Sequence, residues 1–354
     1  MNDYAALLKK YINVVAHEGG SDLHFSRGAH PTIRVSGNLV PMLKEPVLTD
    51  EDAMGFLKAL LKPEQEKHFL QDQEFDFAYE SPDGFRFRGN AFFQRGAVGI
   101  ALRLIPKKIL TVAELNLPEV LLSFARKEQG FFLVVGPVGQ GKTTTLAALI
   151  ELINTERMEH IITIEDPIEY IFEPKQSLVD QREVGIDTKD FASALLSAFR
   201  EDVDVILVGE MRGPETMAAA VTAAETGHLV LSTLHTNNAS QTIDRIIDTF
   251  PGAQQDQIRL QLASSLAGIF SQRLLPRISG GLIPAYELLI NTKAVSNLIR
   301  EKRSHEIPTV IETGSTEGMI DMNRSLAELV ARGEITPETA YEYSLNPNVL
   351  QKLL

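Results

Sequence analysis

Residues 136–143 read Gly-Pro-Val-Gly-Gln-Gly-Lys-Thr, a spacing that can hold a nucleotide triphosphate. The glycines let the backbone wrap until its N–H groups converge on phosphate oxygens. A helix N-terminus directly behind them adds a favourable dipole. Lys142 is the natural cation for the β- and γ-phosphates, and the Thr143 hydroxyl a ligand for Mg²⁺. The nucleotide cradle is therefore assigned to Gly136, Pro137, Val138, Gly139, Gln140, Gly141, Lys142, Thr143 and Thr144.

Three later segments can supply the rest of a hydrolytic site. In Ile161–Glu169 an apolar run delivers Glu165 and Asp166 into a turn. Acids placed there can hold Mg²⁺ or polarise water; the same pattern also describes a solvated turn built on Asp166-Pro167. In Asp204–Glu210 four apolar residues carry Glu210 to a strand tip, where a carboxylate can orient or deprotonate an attacking water. Asp204, at the other end, reads as a surface acid or a cap. In His228–Asn237, His235 stands just past an apolar run and is either a structural strand-end histidine or a donor that senses the γ-phosphate. His228 precedes that run, on the opposite edge. The other histidines show no ligand spacing and there is no cysteine, so no zinc site is expected.

Groups so far apart in sequence need a framework that gathers them. From residue 118 onward apolar runs alternate with helical patterns, the signature of a mostly parallel sheet with right-handed crossovers. Strands are expected at Phe131–Val135, Ile161–Ile164, Val205–Val208 and His228–Leu234. Helices are expected at Lys142–Asn154, at Thr188–Arg200 with Asp187 or Thr188 as cap, and at Pro214–Thr226 ended by Gly227. The last hundred residues read as mainly helical: Ala239–Asp248, Asp256–Arg273, Lys293–Arg303, Met322–Arg332 and Pro337–Ser344. Before residue 106 the pattern differs. A helix over Asp3–His17, short strands at Asp22–Phe25 and Thr32–Val35, a helix at Thr49–Leu61 and strands at Phe85–Phe93 and Val98–Ile105 describe a small α+β domain. Pro106–Pro118 reads as the linker.

The formal net charge of −13 argues against a nucleic-acid binder, since duplex affinity rests on neutralised phosphates. Yet residues 84–113 hold no acid and carry Arg86, Arg88, Arg95, Arg103, Lys107 and Lys108, an island that calls for an anionic partner. The opening residues lack a signal-peptide pattern, and no apolar run approaches the roughly 20 residues that span a bilayer, so a cytoplasmic location is expected.

Taken together, GPVGQGKT, ITIEDPIEY, DVILVGEMR and TGHLVLSTLHTNNA resemble the Walker A, Asp-box, Walker B and His-box motifs of the type II/type IV secretion and pilus ATPases. GGSDLHFS, RFRGNAFFQRG, QREVGIDTKDF and the tail LIREKRSHEIPTVIETGSTEGM resemble the PilT-type retraction branch of that family. The likeness runs from about residue 4 to 350. It implies a PAS-like α+β amino-terminal domain (1–107), a linker (108–117), a RecA-like P-loop ATPase domain (118–290) and a carboxy-terminal helical region (291–354). It implies a homo-hexameric ring whose ATP hydrolysis, with Mg²⁺, pulls on an inner-membrane platform protein at the inner face of the cytoplasmic membrane and so depolymerises a pilus. Carried over residue by residue, Lys142 and Thr143 hold phosphate and Mg²⁺. Glu165 is the Asp-box acid, catalytic and a candidate Mg²⁺ ligand, Glu210 is the catalytic glutamate, and His228 and His235 are the His-box pair, His228 counted with the nucleotide-binding residues and His235 with the catalytic ones. Arg88 and Arg103, with Arg86 as an alternative to Arg88, are the candidates for arginines that reach the nucleotide of the same or a neighbouring subunit. Three departures stand out: Walker A reads GQGKT, Ser296 takes the place of an arginine in the tail motif at Ala294–Arg300, and the Walker B strand ends in Gly209-Glu210 and not in an Asp. Competing readings are an accessory retraction ATPase, an assembly or secretion ATPase, and a RecA-like nucleic-acid translocase. The absence of a four-cysteine insertion disfavours the assembly or secretion reading. The acidic balance disfavours the translocase.

Overall fold

A computed structural model describes residues 3–35 and 37–354; Met1, Asn2 and Ser36 lie outside the described residues. Its contacts divide the chain into two units, the first reaching to Lys108 and also including Pro167–Ile171, the second holding the remainder.

The first unit is built on β1 (Gly20–Ser26), β2 (Thr32–Val35), β3 (Asn38–Pro41), β4 (Glu74–Glu80), β5 (Arg86–Gln94) and β6 (Ala97–Ile105). They form an antiparallel sheet in the order β3-β2-β1-β6-β5-β4. Helices α1 (Tyr4–His17), α2 (Asp50–Leu60) and α3 (Pro63–Asp72) accompany it. The first two begin at residues suited to capping. Asp3 accepts from Ala6 N at the start of α1, and Thr49 and Asp52 form a reciprocal capping box on α2. Leu8, Tyr11, Ile12 and Val15 make the buried stripe of α1, and Phe56 of α2 stacks on Phe25 of β1 with ring centroids 4.4 Å apart. β5 and β6 join through Arg95 (φ 50°) and Gly96 (φ 76°), the paired left-handed conformations that a tight two-residue hairpin requires. β3, α3 and β4 were not expected. Phe69 is the one fully buried side chain of α3, so its helical periodicity is faint.

The second unit carries a sheet in the order β13-β12-β7-β11-β10-β8-β9. Its strands are β7 (Gly130–Val135), β8 (His160–Glu165), β9 (Leu178–Glu183), β10 (Val205–Val208), β11 (Leu229–Leu234), β12 (Leu266–Pro276) and β13 (Leu282–Ile290). All run parallel except β13, which is antiparallel to β12. Strands β7, β10 and β11 are buried along their whole length, as sheets covered on both faces must be. The helices are α4 (Val120–Ala125), α5 (Lys142–Glu156), α6 (Phe191–Ala198), α7 (Pro214–Glu225), α8 (Ala239–Asp248), α9 (Gly252–Ser265), α10 (Lys293–Arg300), α11 (Ile307–Thr313), α12 (Met322–Ala331), α13 (Pro337–Tyr343) and α14 (Pro347–Leu353). Ala219, Ala220, Ala223 and Ala224 of α7 are all buried, their small side chains letting that helix pack closely.

Two expectations are corrected here. The helix expected over Asp256–Arg273 ends at Ser265, and Leu266–Pro276 is a strand hydrogen-bonded to β7 on one side and β13 on the other. Gly268 marks the change: a Cβ there would lie 2.7 Å from Leu289 O and 2.7 Å from the Phe124 ring, so the close strand contact demands glycine. The helix expected from Thr188 begins instead at Phe191, because Asp190 is the residue whose carboxylate caps it, accepting from Ser193 N.

Candidate active site

The loop between β7 and α5 has the backbone that phosphate binding needs. Gly136 (φ 149°), Gly139 (φ 77°) and Gly141 (φ 75°) take conformations that side chains disfavour. Gly136 is also sterically required, since a Cβ there would stand 2.5 Å from Gln272 O. Gln140, one of the departures from the family pattern, is tied to the neighbouring strand. Its side-chain oxygen accepts from Leu274 N at 2.7 Å, and its carbonyl accepts from Gln272 Nε2 at 2.7 Å. Thr145, one turn into α5, donates to Gln272 Oε1 at 2.7 Å.

Lys142 is 7% exposed and folds back on its own loop, donating to Gly136 O and Pro137 O at 2.8 Å each. Its Nζ is also 3.3 Å from His235 Nδ1. Burial pushes this ammonium down to about 8; the Glu210 carboxylate opposes that shift and the Arg273 guanidinium adds to it. On its other side His235 presents Nε2 3.6 Å from Glu210 Oε2. Glu210 in turn accepts from Arg212 Nε, and Arg212 Nη1 lies 3.6 Å from Asp166 Oδ2. A continuous polar line therefore runs Lys142–His235–Glu210–Arg212–Asp166 across the carboxyl ends of β7, β11, β10 and β8. That edge is where open α/β sheets bind ligands. Glu165 is 5% exposed and ends β8 at the same edge, its Oε1 accepting from Thr163 Oγ1 at 2.7 Å and Gln181 Nε2 at 3.3 Å.

Lys142, Glu210 and His235 are thus brought together, with Glu165 on the neighbouring strand. His228 is not brought to them within the chain. It stands before β11, its Nδ1 3.0 Å from Ala223 O and its ring edge-on to Phe199 at 5.6 Å between centroids. Arg88 and Arg103 belong to the first unit, where they are direct cross-strand partners on β5 and β6. Register continues the row through Asp22 on β1 to Arg34 on β2. Arg103 Nε donates to Asp22 Oδ1 at 3.0 Å, and Arg88 Nη1 is 3.6 Å from Glu169 Oε1. Among the described residues no cluster of three or more His, Cys, Asp or Glu has the arrangement of a metal site. Gln272, Arg273 and Arg212 escaped the sequence reading. For the first two a signal existed: three successive polar residues, Ser271–Arg273, interrupt an apolar run and are buried.

The glycine-rich loop at the tip of a buried central strand, with an acid and a histidine delivered by its parallel neighbours, defines a RecA-like P-loop ATPase. Residues 3–327 match the family of type II/IV secretion system proteins. The chain is 45% identical over 332 residues to the type IV pilus retraction ATPase PilT of Pseudomonas aeruginosa, an alignment covering 94% of this chain and 96% of the relative. It is 44% identical over 317 residues to a twitching motility protein of Neisseria gonorrhoeae, 89% of this chain and 84% of that one. A crystal structure of the pilus retraction motor PilT with bound ADP matches with a TM-score of 0.91 at 45% identity, covering 97% of this chain and 98% of that one. The chain therefore belongs to the type II/IV secretion system protein family.

Proposed function

We propose that this protein is an ATP-hydrolysing motor that drives retraction of type IV pili, and with it twitching motility. The observation that carries the hydrolytic part is the Lys142–His235–Glu210 line beside the glycine-rich loop. Retraction rests on 45% identity spanning 94% of the chain to a retraction ATPase. Loop N–H groups and the α5 N-terminus bind the triphosphate, and Lys142 exchanges its two loop carbonyls for phosphate oxygens. Glu210 takes the proton of the water that attacks the γ-phosphorus, ADP leaves, and His235 donates to the transferred phosphoryl group. The hard oxygens of Thr143 and Glu165 fit Mg²⁺, which when bound would neutralise charge on the β- and γ-oxygens. The working form is a homo-hexameric ring at the inner face of the cytoplasmic membrane, acting on an inner-membrane platform protein. Among the described residues no helix is long and apolar enough to cross a membrane. Within such a ring Arg88 and Arg103 supply positive charge to bound nucleotide.

Deletion in the source cell, scored for surface pili and twitching, tests the biological role. Extra pili with lost motility support retraction, whereas absent pili would replace it with assembly. Turnover of the purified chain tests the chemistry. Lys142→Ala and Glu210→Gln each lower kcat by about 10³-fold or more, and Glu210→Gln still binds ATP. Unchanged turnover in Glu210→Gln would remove that residue as the base.

A further inference from the structure

Two buried ionisable side chains lie behind the loop that carries His235. Arg273, on β12 and 8% exposed, donates from Nη2 to Asn237 Oδ1 at 3.0 Å and to Asn237 O at 3.3 Å. Glu287, on β13 and also 8% exposed, accepts from Ala239 N at 2.8 Å, with Ser271 Oγ at 3.5 Å. The segment from His235 to the start of α8 is therefore pinned at residues 237 and 239 by side chains that would gain more from water than from the protein interior. Burying them is unfavourable unless their geometry is used. The pinned histidine spans a narrow gap, 3.3 Å to Lys142 and 3.6 Å to Glu210, so small movements of the loop would break one contact or both. The residue next to Arg273 faces the opposite side of the strand and holds the phosphate loop: Gln272 donates to Gln140 O and accepts from Thr145. One strand thus grips both loops through consecutive side chains.

We propose that Arg273 and Glu287 are positioning residues for hydrolysis: through Asn237 and Ala239 they fix the His235 ring between Lys142 and Glu210. This rests on the reading of His235 as a participant in turnover. Neither residue touches the reacting atoms. Their loss displaces a group that does, and a misplacement of about 1 Å can cost as much as 10²-fold in rate.

The test is steady-state ATP turnover of the full chain, with nucleotide affinity and thermal unfolding measured in parallel. Arg273→Gln and Glu287→Ala lower kcat by about 10-fold or more with KM within about threefold. Glu287→Gln, whose amide oxygen still accepts from Ala239 N, restores kcat to within about threefold of the parent. Combining Arg273→Gln with His235→Ala gives a loss well short of the product of the two, since both act through one ring while the Arg273 charge also acts on Lys142. Exposed Asn237 gives a second handle should Arg273→Gln fail to fold. Asn237→Ala loosens the same contact while leaving the Arg273 charge in place, lowers kcat by about threefold and is silent in a His235→Ala background. Parent-like kcat in folded Arg273→Gln, or in Asn237→Ala, overturns the proposal. Losses that multiply in the double variants, with His235→Ala itself impaired, overturn the positioning role alone. Parent-like turnover in His235→Ala removes the reading of His235 together with the inference built on it.

Discussion

His228 and His235 flank the same six-residue strand and meet different surroundings. At the amino end of β11, His228 is held by Ala223 O and by the edge of Phe199, a backbone carbonyl and an apolar ring. At the carboxyl end, His235 meets a buried ammonium and a carboxylate. Residue type and distance from the strand are nearly the same, so neither explains the difference. Topology does. In a parallel sheet every crossover returns at the same edge, and the carboxyl ends of β7, β8, β10 and β11 converge while their amino ends meet helix termini and turns. A histidine acquires chemistry from the edge it stands on.

The largest expected effect that bears on this contrast is kinetic. His235→Ala lowers kcat by about 10²-fold, the range for removal of a donor to developing charge, whereas His228→Ala leaves kcat within about threefold. A loss of kcat in His228→Ala equal to that in His235→Ala would erase the distinction between the two ends. A thermodynamic effect arises from the pinning of the His235 loop. Burial pushes Glu287 up to about 7, with the Asp321 charge adding to the shift and the Ala239 N–H opposing it. The folded chain then holds a proton there that the unfolded chain releases near pH 4.5, so this group's contribution to stability falls as pH rises from about 4.5 to 7 and is flat above. Chemical unfolding across that range should show the parent losing about 3 kcal/mol relative to Glu287→Gln. A parallel pair of stability curves would show that the carboxyl titrates normally. The smallest effect concerns Lys142, whose ammonium sits at about 8 in the nucleotide-free chain. Phosphate contacts favour its charged form, so binding ADP takes up a fraction of a proton near pH 8.5 and almost none near pH 6.5. Calorimetry in buffers of different ionisation enthalpy reads this directly, and the uptake disappears in Lys142→Ala.

Much of the site was legible from the sequence because its parts are local. The loop at 136–143 needs glycines at fixed offsets, and Gly136, Gly139 and Gly141 take the conformations that spacing implied. Glu210 and His235 were visible because apolar runs of four to six residues between turn signals suit buried strands, and a polar residue just past such a run stands at the strand tip. The start of α2 at Thr49 and the turn between β5 and β6 were equally local. Ser296 shows the limit of the approach. Set against the family pattern it is a lost arginine, but in the fold its hydroxyl bonds Ala263 O at 2.9 Å and Asn291 Oδ1 at 3.0 Å, tying α10 to the end of α9.

By itself, then, the sequence determined that a triphosphate-binding loop exists, that an acid and a histidine stand at the tips of two buried strands, and that a basic hairpin lies far from them along the chain. Only the tertiary structure decided that Leu266–Pro276 is a strand and not the end of a helix. Its residues suit either period, and the strand is selected by the open edge of β7 that it pairs with, which no local pattern encodes. The same decision brought Gln272 to the phosphate loop and Arg273 to the histidine loop. Those contacts bridge more than a hundred and about forty residues of chain, and pairing across such distances is set by packing of the whole sheet.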